Sequence, residues 1–237
     1  MAFDCVSRTH PGLKRKVNED SILVRSERGF WAVADGMGGH EAGDVASMKV
    51  IETLALVPPN SSLETFVSDS ITALAMTNSE LISLAHSASR AHTIGTTVVG
   101  LAISGRRFGC FWAGDSRAYR IRQGEIAQLT RDHSLVQDLM DAGMLDPVEA
   151  EDHPNANVVT RAVGASEELD VDTSTGDAQE GDYFLLASDG LTRVVSDSEI
   201  YAEITAAPIA EAADRLTQIV LSRGAPDNVS LIIVQVT

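Results

Sequence analysis

Hydrophobic residues recur along the chain with two different periods. Short runs rich in β-branched and aromatic residues, bounded by Gly, Asp or Ser, predict β-strands. These strands are expected at residues 21–24, 30–34, 96–103, 107–112, 118–121, 183–187 and 229–236. Longer stretches in which apolar residues return every three or four positions predict helices with one buried face. These helices are expected at residues 42–56, 62–89, 197–205 and 209–222.

The order of the predicted elements indicates the class of fold. Several strands follow one another closely and are separated by tight turns, such as Arg122-Gln123-Gly124-Glu125. Hairpins of this kind build antiparallel sheets. Helices come as pairs between the strands, whereas the regular alternation of strand and helix that builds a parallel sheet is absent. We therefore predict an α+β fold in which β-sheets pack on each other and helices cover their outer faces.

The length of 237 residues fits one large domain or at most two small ones. No internal repeat and no linker rich in Pro or Gly divides the chain, so we expect a single domain over residues 1–237. Residues 131–164 are the least regular stretch, with Pro147, Pro154 and Asn155 among many charged residues. This stretch is predicted to be a long loop, and long loops in compact domains are usually functional or mobile.

The chain is acidic, with 34 Asp and Glu against 18 Lys and Arg and a formal net charge of -16. This balance argues against nucleic-acid binding, which requires clustered basic side chains that displace counterions from phosphates.

The N-terminus has no apolar run behind its basic cluster, and no stretch reaches the roughly 18 apolar residues of a membrane span. We therefore expect a cytoplasmic protein with no membrane partner. Cys5 and Cys110 match no paired metal-ligand spacing and are expected to be small core residues.

Five aspartates lie at the ends of predicted strands, each beside glycine or another small or polar residue. They are Asp20, Asp35, Asp115, Asp189 and Asp227. Carboxylates at the ends of neighbouring strands can converge although they are distant in sequence, and clusters of oxygen ligands suit Mg²⁺ and Mn²⁺. Each aspartate taken alone also fits an ordinary turn, because Asp-Gly and Asp-Asn are common turn dipeptides. Their spacing leaves both interpretations open.

Two further motifs suggest a nucleotide-binding protein or a serine hydrolase, and neither motif is complete. The glycine-rich stretch at residues 36–39 lacks the third glycine of a dinucleotide fingerprint and the Lys of a P-loop. Its glycines more simply let the backbone pass close to a bound ion. Gly114-Asp115-Ser116 resembles the nucleophile block of some esterases, but the last histidine of the chain, His153, lies in the irregular stretch. The histidine base that such a serine needs is therefore not expected.

Arg15 lies five residues before Asp20 and has the planar guanidinium that holds two phosphate oxygens. It also belongs to the basic run Lys14-Arg15-Lys16, for which solvated surface is the simpler interpretation. Among the histidines, His40 is expected to be an exposed loop residue, and His133 is expected to cap or pack at the start of the irregular stretch. No histidine spacing suggests a zinc site.

An ordered series of motifs resembles the metal-dependent protein phosphatases, the type 2C serine/threonine phosphatases, in their compact bacterial form. The motifs are GLKRKVNED, VADGMGGHEAGDVAS, IGTTVVGLAI, WAGDSRAYRI, LTRDHSLVQDL, VVTRAVGA, LLASDGLTRVVSD and PDNVSLIIV. They run in order from about Arg8 to Val236. The resemblance implies a four-layer αββα sandwich, in which two antiparallel β-sheets are flanked by pairs of helices. It also implies a dinuclear Mn²⁺ or Mg²⁺ centre at one end of the sheets.

The resemblance assigns the principal metal ligands to four residues of this chain. Asp35 matches the aspartate that bridges both ions, and the carbonyl of Gly36 matches the ligand of one of them. Asp189 and Asp227 match the residues that complete the other ion's coordination. Because these residues carry the dinuclear centre, the resemblance also makes the three aspartates the catalytic residues.

Further roles follow from the same resemblance. Glu19 and Asp20 match residues that orient metal-bound waters, and Asp115 matches an aspartate that holds a third, weaker ion together with Asp189. Arg15 matches the arginine that grips the substrate phosphate and acts in catalysis. The resemblance thus assigns a function to the basic run near the N-terminus, whereas its composition alone indicates only solvated surface.

The reaction implied by the resemblance is hydrolysis of phosphoserine and phosphothreonine. A hydroxide that bridges the metal ions attacks the phosphorus in line, and no covalent phosphoenzyme forms. Met37 stands where animal relatives have a histidine proposed to protonate the leaving group, so the general acid is left open. Residues 131–164 match the flap of the family, where we expect substrate choice to be determined.

The expected partners are phosphorylated proteins and a cognate serine/threonine kinase. A catalytic domain without sensor or membrane helix resembles bacterial phosphatases that reverse Hanks-type kinases, including those that control type VI secretion. We expect a monomer. The alternative is a non-catalytic phosphoprotein-binding module on the same fold. Such a module would have lost a metal carboxylate, whereas Asp35, Asp189 and Asp227 are all present.

Overall fold

A computed structural model describes residues 1–38, 42–59, 62–87, 93–150 and 153–237, which form eleven β-strands and seven α-helices. The strands are β1 (Phe3–His10), β2 (Asp20–Arg25), β3 (Phe30–Gly38), β4 (Ile94–Thr96), β5 (Val98–Ser104), β6 (Arg107–Ala113), β7 (Arg117–Arg122), β8 (Glu125–Gln128), β9 (Asp172–Asp177), β10 (Tyr183–Ala187) and β11 (Val229–Val236). The helices are α1 (Gly43–Leu56), α2 (Leu63–Ser87), α3 (Leu135–Asp141), α4 (Pro147–Ala150), α5 (Asp189–Thr192), α6 (Asp197–Ala206) and α7 (Ile209–Ser222). The expectations for His40 and for the helix end at residues 88–89 lie outside the described residues.

The described strands form two sheets, and all their pairings are antiparallel. One sheet has the order β1-β11-β10-β7-β8. The other has the order β2-β3-β5-β6-β9, and β4 pairs with β3 beside it. Neighbours in both sheets include strands that are far apart in sequence, so the sheets bring distant motifs together.

Apolar side chains form three layers, one between the sheets and one beneath each pair of long helices. Along β11, Ile232 and Val234 lie in the layer between the sheets, whereas Leu231 and Ile233 lie in the layer beneath α6 and α7. This alternation follows from the pleat of a strand that is buried on both faces. The third layer separates α1 and α2 from the other sheet. The predicted αββα sandwich of two antiparallel sheets is confirmed.

The strongest sequence patterns give the correct element bounds. The predicted elements at 183–187, 229–236 and 209–222 coincide with β10, β11 and α7. The turn from Arg122 to Glu125 joins β7 and β8 as a hairpin. Gln123 and Gly124 have φ of +51° and +91°, as the tight two-residue turn of a twisted hairpin requires.

The sequence pattern does not reveal β1, β8 or β9, and all of them lie at the edge of a sheet. Edge strands need no continuous apolar run, and β9 has the sequence DTSTGD. The predicted strand at 96–103 is divided into β4 and β5 at Thr97. The N–H of Thr97 donates to the carbonyl of Asp35 at 2.8 Å, so the chain still follows β3 across the division.

Residues 131–164 contain the short helices α3 and α4, where the sequence predicted a long loop. Helix α3 begins after Ser134, whose hydroxyl accepts a hydrogen bond from the N–H of Gln137 at 3.3 Å. Isolated bridges join Ser134 to Val159 and Thr96 to Val163. The second bridge fastens the end of this segment to β4, next to the strand that carries Asp35.

Two expectations concern the cysteines and the membrane. Cys110 is buried and Cys5 is half-buried, and both pack in the layer between the sheets, as predicted. None of the described helices is both long enough and apolar enough to cross a lipid bilayer.

Side chains in the layer between the sheets should contribute strongly to stability. Leu101 is completely buried there, so Leu101→Ala is expected to lower the free energy of unfolding by about 2–5 kcal/mol through lost burial and a residual cavity. Leu56 is 82% exposed, so Leu56→Ala should change it by less than about 0.5 kcal/mol. Urea denaturation of both variants measures the difference, and equal effects would contradict this assignment of the core.

Candidate metal centre

Most of the predicted site residues line one cavity of about 390 Å³. They are Arg15, Glu19, Asp35, Gly36, Asp115, Asp189 and Asp227. Asp35 lies in β3 of one sheet, whereas Asp189 follows β10 and Asp227 precedes β11 in the other sheet. The cavity therefore lies where strands of both sheets end. The structure brings together carboxylates that are separated by up to about two hundred residues, as the position at strand ends suggested.

Asp20 is not part of this lining but lies directly behind it, opposite Asp35 in the pairing of β2 with β3. Only 8% of Asp20 is exposed. One carboxylate oxygen accepts a hydrogen bond from the hydroxyl of Ser188 at 2.9 Å, and the other, Oδ1, is buried without a partner. Burial raises the pKa of Asp20 to about 6. A buried carboxylate oxygen without a partner is costly, so Asp20 needs a donor or a cation nearby.

The carboxylates of the cavity raise one another's pKa. Burial raises the pKa of Asp35 well above its ordinary value, and the charges of Asp20, Asp189 and Asp115 raise it further. Burial and the charge of Asp189 raise the pKa of Asp115 to about 6. Burial also raises the pKa of Asp189, although the nearby charge of Arg193 opposes the shift. The cluster holds more negative charge than its protein surroundings neutralise.

Arg15 partly compensates this charge through Asp227. Its Nε donates to one carboxylate oxygen of Asp227 at 2.8 Å and its Nη2 donates to the other at 2.6 Å. These bonds raise the pKa of the Arg15 guanidinium. The side chain of Arg15 remains 52% exposed, so it is attached to the cavity wall without being buried in it.

Arg193 compensates the negative charge on the opposite side of the cavity, a role that the sequence did not predict. Its Nε lies 2.9 Å from Asp189 Oδ2, and its Nη2 donates to Asp115 Oδ2 at 2.9 Å. The same Nη2 donates to the carbonyl of Ala156 at 3.0 Å. One guanidinium therefore joins two carboxylates of the cavity to the segment at residues 131–164. The motif LLASDGLTRVVSD contains Arg193, but no local pattern distinguishes it from a surface arginine.

The glycines after Asp35 and Asp189 serve close backbone packing. A Cβ at Gly36 would lie 2.0 Å from the carbonyl oxygen of Gly43, and a Cβ at Gly190 would lie 1.8 Å from that of Asn228. Neither glycine has a positive φ. The turn-dipeptide interpretation is wrong for these two Asp-Gly pairs, because Asp35 and Gly36 lie within β3 and Asp189 and Gly190 begin α5.

Two threonines for which the sequence predicted no role hold the backbone of Asp35. The hydroxyl of Thr96 donates to the Asp35 carbonyl at 2.9 Å, and the Asp35 N–H donates to the hydroxyl of Thr97 at 3.2 Å. The Thr97 hydroxyl also lies 2.7 Å from that of Ser116, the residue after Asp115. This chain of bonds fixes the backbone of Asp35 relative to the turn that carries Asp115.

Asn228 fixes the loop that carries Arg15. Its amide nitrogen donates to the carbonyls of Pro11 and Val17 at 2.9 and 3.0 Å, and its amide oxygen accepts from the N–H of Glu19 at 2.8 Å. The Asn228 side chain thus ties the loop to the turn at Asp227. Burial raises the pKa of the Glu19 carboxyl. A hydrogen bond from the N–H at the start of α1 lowers this pKa and partly opposes the shift.

His133 packs as predicted, although Ser134 and not His133 caps α3. The ring stacks on Trp112 with centroids 6.1 Å apart, and its Nδ1 accepts from the N–H of Gly114 at 3.2 Å. The Nε2 therefore carries the proton and faces Asp172 Oδ2 at 3.2 Å. Because both ring nitrogens have partners, His133 is not a base for Ser116, which agrees with the incomplete serine-hydrolase motif. The other carboxylate oxygen of Asp172 accepts a hydrogen bond from Nη1 of Arg161 at 3.2 Å.

The donor set of the cavity fits hard divalent cations. Neither His nor Cys occurs among the described residues that line it, and the carboxylate and carbonyl oxygens there are the ligands that Mg²⁺ and Mn²⁺ prefer. The partnerless Oδ1 of Asp20 and the mutual repulsion of the carboxylates also favour a cation. Over the described ranges, no three His, Cys, Asp or Glu side chains form a ready-made cage. The ion pairs of Arg15 and Arg193 engage Asp227, Asp115 and Asp189.

Arg193→Ala should loosen the segment at residues 131–164 in the metal-free protein. The variant loses a charge-assisted bond to the carbonyl of Ala156, so amide hydrogen exchange around Ala156 and Val158 should accelerate by about tenfold. Arg215 is the control, because its ion pairs within the described ranges are with Glu203 on α6 and Glu211 on α7. Exchange in Arg193→Ala that matches both the unchanged protein and Arg215→Ala would show that Arg193 does not hold the segment.

Comparison with known sequences adds independent information. A family model described as Protein phosphatase 2C matches residues 13–225. The serine/threonine protein phosphatase PstP of Mycobacterium tuberculosis (strain ATCC 25618 / H37Rv) is 36% identical over 230 residues, which are 97% of this chain and 44% of the relative. The protein phosphatase PhpP of Streptococcus pneumoniae (strain ATCC BAA-255 / R6) is 35% identical over 232 residues, which are 95% of this chain and 94% of the relative. This chain thus spans less than half the length of PstP and nearly the whole length of PhpP.

Solved structures agree with the fold. A structure described as PppA, a key regulatory component of T6SS in Pseudomonas aeruginosa, superposes with a TM-score of 0.91 at 40% identity over 100% of this chain and 99% of that one. The catalytic domain of the phosphatase PstP in complex with two manganese ions superposes with a TM-score of 0.88 at 34% identity over 99% of both chains.

Proposed function

This chain belongs to the protein phosphatase 2C family of metal-dependent serine/threonine phosphatases, and on that premise we propose that it hydrolyses phosphoserine and phosphothreonine in proteins. The observation that carries the proposal is the single cavity in which Arg15 meets the carboxylates of Asp35, Asp115, Asp189 and Asp227. A phosphate dianion requires positive charge, and a carboxylate cluster attracts the cations that supply it. We further propose that residues 1–237 form one catalytic domain that acts as a cytoplasmic monomer.

We propose that Asp35, the carbonyl of Gly36, Asp189 and Asp227 hold two Mn²⁺ or Mg²⁺ ions. The two manganese ions in the related PstP structure support this number. When bound, such ions lower the pKa of a shared water and neutralise charge that develops on the phosphoryl oxygens. The protein fixes the ligands in advance, because Thr96 and Thr97 hold the backbone of Asp35.

Glu19 and Asp20 are proposed to accept hydrogen bonds from water at the edge of the cation site. The partnerless Oδ1 of Asp20 is suited to this role. A third cation between Asp115 and Asp189 would have to displace the guanidinium of Arg193, which already bonds to both. We therefore propose that Arg193 neutralises this pair whenever the third ion is absent.

Arg15 is proposed to hold the substrate phosphate after it releases Asp227. A guanidinium that binds a carboxylate through two parallel bonds has the geometry to bind two phosphoryl oxygens in the same way. A cation at Asp227 would weaken the ion pair and free Arg15 for this task. Met37 lines the cavity and has no proton to give, so the leaving group must take its proton from water or from another residue.

The direct test is phosphate release from a phosphothreonine peptide in the presence of Mn²⁺. Asp35→Asn removes a charge from the proposed bridging ligand and should lower kcat/KM by at least about a hundredfold. A chelator should abolish the activity of the unchanged protein, and Mn²⁺ should restore it. Asp214→Asn, at an exposed position on α7, is the matched control and should retain full activity. Activity that survives both chelation and Asp35→Asn would overturn the proposal, and binding of the peptide without turnover would favour a phosphoprotein-binding module.

We also propose that the physiological substrate is a protein phosphorylated by a Hanks-type serine/threonine kinase, in the control of type VI secretion. Support comes from the solved PppA structure, whose description names it a regulatory component of that system. Deletion of the gene should raise phosphothreonine on a small set of proteins, and the Asp35→Asn allele should reproduce the increase. A phosphoproteome that is unchanged in the deletion strain would contradict a dedicated protein substrate.

A further inference from the structure

A second cavity of about 380 Å³ lies beside the candidate metal centre. The two cavities share Asp115, Asn157 and Arg193 as a common wall. The floor comes from the start of β7 and from α5, and the other walls come from the segment at residues 131–164. The volume lies within the range of pockets that bind small molecules or side chains.

The four charged side chains that line this second cavity are paired with one another, so the cavity offers no unpaired charge. Arg117 donates to both carboxylate oxygens of Asp132, at 2.9 Å from Nε and at 2.7 Å from Nη2. Arg193 is likewise bonded to Asp115. A charged occupant would therefore have to compete with these ion pairs and would lose its hydration.

The remaining walls combine apolar groups with the polar side chains of Ser134, Asn157 and Thr192. Val136 and Met140 extend from α3, and Ala150 ends α4. The amide nitrogen of the Gln137 side chain donates to Asp141 Oδ1 at 2.9 Å. The walls thus favour a side chain of Leu or Met size over a charged one.

We infer that this second cavity is the subsite for an apolar side chain close to the phosphorylated residue of the substrate protein. The inference rests on the proposed phosphatase function, since the metal centre must hold the phosphate. An extended peptide advances about 3.3 Å per residue, and its side chains alternate in direction. A residue one or two positions from the phosphothreonine would therefore reach past Asn157 and Arg193 into the second cavity.

The test compares phosphothreonine peptides that differ at one flanking position. Leu, Asp or Lys is placed in turn at each of the two positions that precede the phosphothreonine and each of the two that follow it. The value of kcat/KM is measured for every peptide with Mn²⁺. At one position, Leu should exceed Asp and Lys by about tenfold or more, as expected for an apolar side chain that fills a matching pocket. Hydrolysis of p-nitrophenyl phosphate, which has no flanking residue, reports the reaction itself.

Two variants connect that preference to the second cavity. Ala150→Leu places additional carbon atoms in the cavity and should reduce the Leu to Asp ratio to about one. Val148→Leu is the matched control, because Val148 lies on the same helix but is 83% exposed and should keep the ratio of the unchanged protein. Met140→Glu provides a second route if Ala150→Leu does not fold, because the new charge should favour Lys over Leu.

The outcomes separate the two proposals. Protein that hydrolyses neither p-nitrophenyl phosphate nor any peptide would overturn the phosphatase function and this inference with it. Hydrolysis that is insensitive to the flanking residue would overturn this inference alone. A Leu preference that persists in Ala150→Leu and Met140→Glu would also overturn it, because the preference would then arise outside the second cavity.

Discussion

Repulsion between carboxylates is the constraint around which the rest of the site is arranged. Asp35, Asp115, Asp189 and Asp227 lie on one cavity, and burial together with their mutual charge raises the pKa of the first three. Separated carboxylates on a solvated surface would cost almost nothing, so their gathering requires compensation. Two arginines provide part of it, Arg15 at Asp227 and Arg193 at Asp115 and Asp189. Divalent cations would provide more positive charge at shorter range. In the proposed function, Arg15 then leaves Asp227 and its guanidinium binds the substrate phosphate.

The sandwich makes this arrangement possible because it holds the carboxylates by their backbones. Two sheets packed across a continuous apolar layer place the ends of β3, β10 and β11 beside one another. Thr97 accepts a hydrogen bond from the backbone N–H of Asp35, and Asn228 bonds to the backbone of the loop that carries Arg15. The glycines at 36 and 190 allow neighbouring backbone segments to approach closely. Carboxylates whose backbones are fixed in this way cannot move apart to relieve their repulsion. The segment at residues 131–164 joins this frame through the bridge from Val163 to Thr96 and through the bond from Arg193 to Ala156.

Sequence alone predicted the layers, the buried strands and the positions of the aspartates. These features depend on local patterns, namely the period of apolar residues and the small residues that end a strand. Strands β8 and β9 escaped because an edge strand can be half exposed and polar. Arg193 and Asn228 escaped for a different reason. Their function depends on partners that are distant in sequence, such as Asp115 for Arg193 and Val17 for Asn228, and no local pattern encodes such contacts. The resemblance to a family supplied the roles of Arg15 and Glu19, which composition did not.

Anomalous diffraction from crystals grown with Mn²⁺ tests the exchange of arginine for cation most directly. Two manganese peaks should appear in the cavity, both beside the Asp35 carboxylate, one of them near the Gly36 carbonyl and the other near Asp189 and Asp227. The guanidinium of Arg15 should have left Asp227 in the same crystals. A cavity without manganese at saturating Mn²⁺, in which Arg15 still binds Asp227 and Arg193 still binds Asp189, would contradict this view of the site.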